Sequence, residues 1–203
     1  PIREMDTYRD FTELAATERR GRDYRIRWRT PAQSAWLVIA PHGGGIEPGT
    51  SEIARAVARG VHSCYRFEGI KGHGNGALHI TSTRFDEPRA LAMAASASSV
   101  LAIHGESSTE RVVFIGGRDI AAQDRLRASL EGEGFLVRRH SNLNLAGAAP
   151  SNICNRGRRR AGVQIELSLG LRRACFRSMS SSGRRITTPT FRQLVAALRN
   201  GLS

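Results

Sequence analysis

SAWLVIAPHGGGIEPGTSEIARAVARG, residues Ser34–Gly60, is the stretch that decides the fold. Ser34 to Ala40 is a continuous apolar run stopped by Pro41, the pattern of a strand buried on both faces. A loop from His42 to Gly49 follows, and then a helix. Thr50 or Ser51 can cap that helix, Ile53, Ala54 and Val57 form a stripe at helical spacing, and Gly60 closes it. A buried strand feeding a helix is the unit from which α/β domains are built.

The same alternation continues on both sides. Upstream, Phe11–Ala16 reads as a short helix and Arg25–Trp28 as an opening strand. Downstream, Leu78–Thr81 reads as a strand and Pro88 to about Ser99 as an alanine-rich helix. Val100–Ile103 is a second buried strand, and Val112–Ile115 a further one ended by Gly116 and Gly117. Ile120–Leu130 reads as a helix closed near Gly132, Phe135–Val137 and Val163–Leu167 as strands, and Phe191–Leu198 as a terminal helix. The expectation is one α/β domain over residues 1–203, with a mixed, mostly parallel sheet flanked by helices.

In such sheets the site lies outside the carboxyl ends of the strands. His42 stands two residues past the first buried strand, and His104 directly follows Ile103. Glu166 is embedded in Val163–Leu167. Three consecutive glycines, Gly43–Gly45, let the loop turn tightly enough to aim His42 and Glu47 at one point. Imidazole and carboxylate are good zinc ligands, and a catalytic zinc site needs three protein ligands and an open position. His104 is the natural third. A phosphate cradle or an ordinary turn is the competing reading of the loop, although the Gly-Lys-Ser/Thr of a phosphate loop is absent.

Between Arg138 and Arg185 stand eleven arginines, and Glu166 is the one acidic side chain. Alternation puts Val163, Ile165 and Leu167 on one face and Gln164, Glu166 and Ser168 on the other. Beside a metal-bound water Glu166 can act as general base; otherwise it is a solvent-facing partner of an arginine. Asn155 and Arg156 are candidates for binding a substrate carboxylate, with Arg158–Arg160 a solvated steering patch; a generic basic loop competes. Arg84 can hold a carboxylate or balance an oxyanion, while Asp86 or Glu87 pairs with it or caps the next helix. His62, His73 and His140 are read as non-functional.

Composition narrows the partners. The net charge is +13, and Lys71 is the sole lysine, so the excess is arginine. Such a field favours polyanions and makes capture weaken as salt rises. Nucleic acid is the rival partner, but aromatics are only 6%, and none alternates with basic residues as a stacking platform requires. No helix-turn-helix or zinc-finger spacing is present. Cys64, Cys154 and Cys175 have no C-x-x-C spacing and read as buried free thiols. No apolar run reaches membrane-spanning length. Pro1–Asp10 shows no signal-peptide core, leaving a soluble protein of unassigned location. A monomer is expected.

The segments APHGGGIEPGT (Ala40–Thr50), LHITSTRFDEP (Leu78–Pro88), Ile103-His104-Gly105, Ile115-Gly116-Gly117 and NICNRGRRRAGVQIELS (Asn152–Ser168) together resemble the poly-γ-glutamate hydrolase family, known from bacteriophages and bacteria. The resemblance runs in order from about Tyr8 to Phe176. It implies a zinc-carboxypeptidase-like fold, one catalytic Zn2+ and hydrolysis of γ-linked glutamyl amides. It also implies His42, Glu47 and His104 as ligands and Glu166 as the catalytic carboxylate. Four residues separate His42 from Glu47, whereas zinc carboxypeptidases separate histidine and glutamate by two, so the likeness to those enzymes is architectural. Residues 177–203 add no match. A zinc amidase or carboxypeptidase acting on another acidic or cell-wall peptide, and a non-catalytic nucleic-acid-binding protein, are the alternatives.

Overall fold

A computed structural model describes residues 6–31, 34–140 and 145–203; Pro1–Met5, part of the segment read for a leader, lie outside them. Seven strands form one sheet: β1 (Tyr24–Arg29), β2 (Trp36–Gly44), β3 (Ser63–Gly69), β4 (Ser99–Glu106), β5 (Val112–Gly117), β6 (Leu136–Arg138) and β7 (Val163–Ser168). Six α-helices accompany them: α1 (Phe11–Thr17), α2 (Thr50–Ala58), α3 (Pro88–Ser96), α4 (Ile120–Gly132), α5 (Leu169–Cys175) and α6 (Pro189–Gly201). The strand order is β1-β3-β2-β4-β7-β5-β6. β2–β3, β2–β4, β4–β7 and β5–β6 are parallel, and β1–β3 and β5–β7 antiparallel. The expected mixed, mostly parallel α/β sheet is therefore the observed one.

Both faces are covered, which is why β2 and β4 read as unbroken apolar runs. Val38, Ala40, Leu101, Ile103, Val163 and Ile165 pack under α2, α4, α5 and α6. Leu37, Ile39, Val100 and Ala102 pack on the other face with Leu14 of α1 and Ala90 of α3. Cys64, Cys154 and Cys175 are buried and unbridged, as expected. No helix among the described residues is long and apolar enough to cross a membrane.

Three local expectations are corrected, and two elements are added. The first buried strand does not stop at Pro41 but runs to Gly44. Its register against β3 shifts between Ala40 and Gly43, and its pairing with β4 ends at Ile39, so the proline, which lacks an N–H, sits where the ladder is already irregular. Neither Thr50 nor Ser51 caps α2, whose N-cap is Gly49 at φ +100° without a side-chain bond. Both hydroxyls serve the loop instead: Thr50 donates to Glu47 O, and Ser51 accepts from Gly44 N. Leu78–Thr81 is not a strand; it leaves a 3-10 turn at 75–78 and continues extended, outside any ladder. Finally, β3 and α5 escaped the sequence reading. β3 hides its charge by pairing Arg66 and Arg25 with Glu68, and α5 is only seven residues long.

Candidate metal centre

The carboxyl ends of β2, β4 and β7 converge on one buried polar cluster. The loop after β2 is shaped by glycine. Gly44 has φ +67°, and a Cβ there would lie 2.3 Å from Gly69 O, so no other residue fits. Glu47 N donates to His42 O at 2.8 Å, closing the turn and bringing both side chains to the same side. Glu47 Oε1 lies 3.2 Å from His42 Nδ1, and Oε2 accepts from Gly105 N at 2.8 Å. His104 Nδ1 is 3.1 Å from His42 Nδ1 and 3.7 Å from Glu47 Oε2. The three residues singled out as ligands are brought together, and all three are buried.

The outer nitrogens are fixed as metal-binding imidazoles usually are. Ile80 O lies 2.7 Å from His42 Nε2, and a carbonyl only accepts, so that nitrogen carries the proton. His104 Nε2 pairs with the Ser82 hydroxyl at 3.2 Å. In a neutral His42 the Nδ1 lone pair then faces a carboxylate and a second imidazole nitrogen. Burial pushes His42 toward that neutral form, against the pull of Glu47. Glu47, in turn, stays well below the usual carboxylate range: burial alone would raise it, but His42 and His104 outweigh that. Converging acceptors in the interior require a shared cation or proton between them. Donors around a tetrahedral zinc are about 3.4 Å apart, given bonds of about 2.0–2.1 Å, and the His42–Glu47 and His42–His104 separations of 3.2 and 3.1 Å match that spacing. The donor set fits a zinc ion.

A third histidine, which no motif singles out, stands at the cluster. His79 Nε2 lies 4.0 Å from Glu47 Oε1, its ring centroid is 3.9 Å from that of His42, and His42, Glu47 and His79 each offer a ligand atom within 4.8 Å of the others. Asp6 anchors it through Nδ1 at 2.6 Å while also accepting from Thr81 N and Arg84. Burial opposes ionisation of Asp6, yet these partners hold its pKa at about 2. Nothing in the sequence marked His79 beyond the polar density of the segment around it. That segment forms no ladder because its polar groups are engaged here.

Glu166 is buried, not solvent-facing. Gln164 Nε2 donates to its Oε1 at 3.1 Å, and Gln164 Oε1 accepts from Asn152 Nδ2, as the shared face implied. Arg172, another residue the sequence did not single out, lies buried beneath the loop. It donates to the carbonyls of Leu167, Pro48 and Glu106, and its charge acts on Glu47 and Glu166.

The remaining candidates sit further out. Arg84 is half-exposed and held by Asp6 at 2.8 Å, not by Asp86 or Glu87; Asp86 accepts from Phe11 N, and Glu87 caps α3. Asn155 is corrected from substrate ligand to loop brace. It is buried, both Nδ2 hydrogens go to Gly147 O and Ala149 O, and Oδ1 accepts from Gly162 N, leaving no donor for a carboxylate. Arg156 is half-buried beside it and donates to Ser151 O.

Comparison with known proteins bears on family and fold. The family model for poly-gamma-glutamate hydrolase matches residues 8–197. The match thus reaches past Phe176, and Arg184 explains why that region belongs: its Nη2 donates to Gly44 O in the site loop. The UPF0714 protein YndL of Bacillus subtilis (strain 168) is 40% identical over 183 residues, 90% of this chain and 71% of that protein. The structure of a bacteriophage poly-gamma-glutamate hydrolase superposes with a TM-score of 0.93 at 30% identity, covering 97% of this chain and 96% of that one. A zinc-free apo structure of YndL superposes at 0.91 with 37% identity over 97% of each chain. A putative carboxypeptidase A from Shewanella denitrificans OS-217 shares the fold alone, with a TM-score of 0.50 at 13% identity, covering 89% of this chain and 61% of that one.

Proposed function

The chain belongs to the poly-gamma-glutamate hydrolase family, and from that premise we propose that it hydrolyses γ-glutamyl amide bonds of poly-γ-glutamate with a zinc ion held by His42, Glu47 and His104. One observation carries the reading: His42 Nδ1, His104 Nδ1 and the Glu47 carboxylate converge in the interior while the other imidazole nitrogens of both histidines are pinned. A bound zinc supplies Lewis acidity, polarising a scissile carbonyl and lowering the pKa of a water to about 7.

The chain's own residues do the rest. Glu166 takes the proton from the attacking water and passes it to the leaving amine. Gln164, fixed by Asn152, orients the Glu166 carboxylate. His79, oriented by Asp6, presents Nε2 to the cluster. Arg84 and Arg156 receive α-carboxylates of the polymer or balance the developing oxyanion, and Asn155 holds the Arg156 loop in shape.

The test is metal content by elemental analysis of protein purified without added zinc, followed by the size distribution of poly-γ-glutamate after incubation. About one zinc per chain and shortened polymer are expected. A metal-loaded protein that leaves the polymer intact would move the activity to another acidic peptide; failure to take up zinc would remove the reading.

A further inference from the structure

On the face of the sheet covered by α2 and α6, at its β1 edge, lies a groove of about 580 Å3 that the metal centre does not use. Its lining is one-sided in charge. Arg29 comes from β1, Arg66 from β3, Arg55 and Arg59 from the end of α2, and Arg184 and Arg185 from the turn before α6. Glu52 is the one carboxylate among them, and Arg184 already occupies it at 2.9 Å. Arg66 donates to Glu68. Arg29, Arg55, Arg59 and Arg185 are exposed and have no carboxylate partner among the described residues. Guanidinium groups gathered around one concavity repel each other, and a polyanion relieves that repulsion.

The walls also carry apolar surface, from Phe191 and the alanines of α2. A γ-linked polyglutamate chain alternates methylene pairs and amides with free carboxylates, so it presents to such a groove both an apolar strip and regularly spaced anions. Nucleic acid fits less well, because the exposed ring at this edge, Trp28, lies on the other face of the sheet, where the Arg89 guanidinium of α3 covers it at 4.8 Å. The groove touches the catalytic loop: Arg184, one of its walls, donates to Gly44 O, two residues after His42.

We propose that this groove is an exosite that holds a distal stretch of the polycarboxylate chain whose bonds are cut at the metal centre; the proposal rests on the function proposed above. Holding the chain there raises the effective concentration of scissile bonds. The groove therefore acts on KM for long polymer and leaves kcat alone. Oligomers too short to reach from one site to the other do not feel it.

The experiment compares two double variants that remove equal charge from exposed arginines. Arg55→Gln/Arg59→Gln lies in the groove, and Arg125→Gln/Arg173→Gln on α4 and α5 lies outside it. The groove pair is expected to raise KM on long poly-γ-glutamate about fivefold, with kcat and short-oligomer kinetics unchanged and the outside pair close to wild type. Equal effects from both pairs, or none from the groove pair, overturn the exosite. A second measurement is independent of turnover: zinc-loaded Glu166→Gln protein is titrated onto fluorescently labelled long polymer, following the anisotropy of the label. A saturable change that the groove pair weakens supports the proposal. Labelled duplex DNA producing it where the polymer does not overturns it. Polymer binding in the groove by a wild-type protein that cuts neither polymer nor oligomer defeats the proposed hydrolysis and leaves the groove as a polymer-binding site.

Discussion

His104 and Glu166 are direct partners across the β4–β7 ladder, Cα opposite Cα in a parallel pair. Parallel register turns both side chains to the same face at the carboxyl end of the sheet, so one ladder places a candidate ligand beside a candidate base. Their roles separate by substitution. His104→Ala is expected to lose the metal. Glu166→Gln should keep it while kcat falls by about 10²-fold or more. Elemental analysis beside polymer cleavage checks both; a metal-free Glu166→Gln protein would make Glu166 a ligand.

Asp6 ties His79, Thr81 and Arg84 together from outside the cluster. Removing such support typically costs about 10–100-fold in metal affinity or activity. Asp6→Asn should show a loss of that size, and His79→Ala should retain zinc while losing turnover. Zinc lost from His79→Ala as completely as from His104→Ala would place His79 in the ligand set.

Arg172 satisfies three backbone carbonyls from three segments, those of Leu167, Pro48 and Glu106, and a Cβ on Gly105 would strike its guanidinium at 2.7 Å. Arg172→Ala should destabilise the fold by about 3–5 kcal/mol, the scale for breaking a buried charged network. Arg172→Lys should recover only part, because one ammonium cannot reproduce the guanidinium fork. Urea unfolding midpoints distinguish the three proteins.

Burial pushes the thiols up, Cys64 to about 11 and Cys154 and Cys175 to about 12. A disulfide reagent at pH 8 should label none of them until the protein unfolds. The linkage has a definite sign. Above the unfolded thiol pKa, about 8.5, the unfolded chain releases protons that the folded chain keeps, so stability falls as pH rises toward 11 and 12. Denaturation midpoints should drop between pH 8 and 10, less steeply in Cys154→Ala.

With a net charge of +13, capture of a polyanion should weaken with salt. KM on polymer should rise between low and high ionic strength while kcat holds. A KM indifferent to salt would refute long-range steering.

The sheet was legible because its central strands are buried on both faces. SAWLVIA, SVLAIHG and VQIEL announce themselves by apolar continuity or alternation, and the glycine loop advertises its turn. His42, Glu47, His104 and Glu166 were within reach for the same reason: each lies at or near a strand end, where α/β sheets build sites. β3 was hidden because its charged residues, Arg66 and Glu68, are neutralised by each other and by Arg25, 43 residues away on β1.

What the sequence by itself determined is the α/β alternation, the buried faces of the central strands and a set of candidate side chains at the strand ends, because these follow from local periodicity and residue type. Only the tertiary structure decided that His79 joins the cluster, that Asn155 is a brace, that Arg172 locks the loop and that arginines from four segments share one groove. Those are matters of distance between residues far apart in the chain, fixed by how the helices and loops pack over the sheet, and no local pattern encodes them.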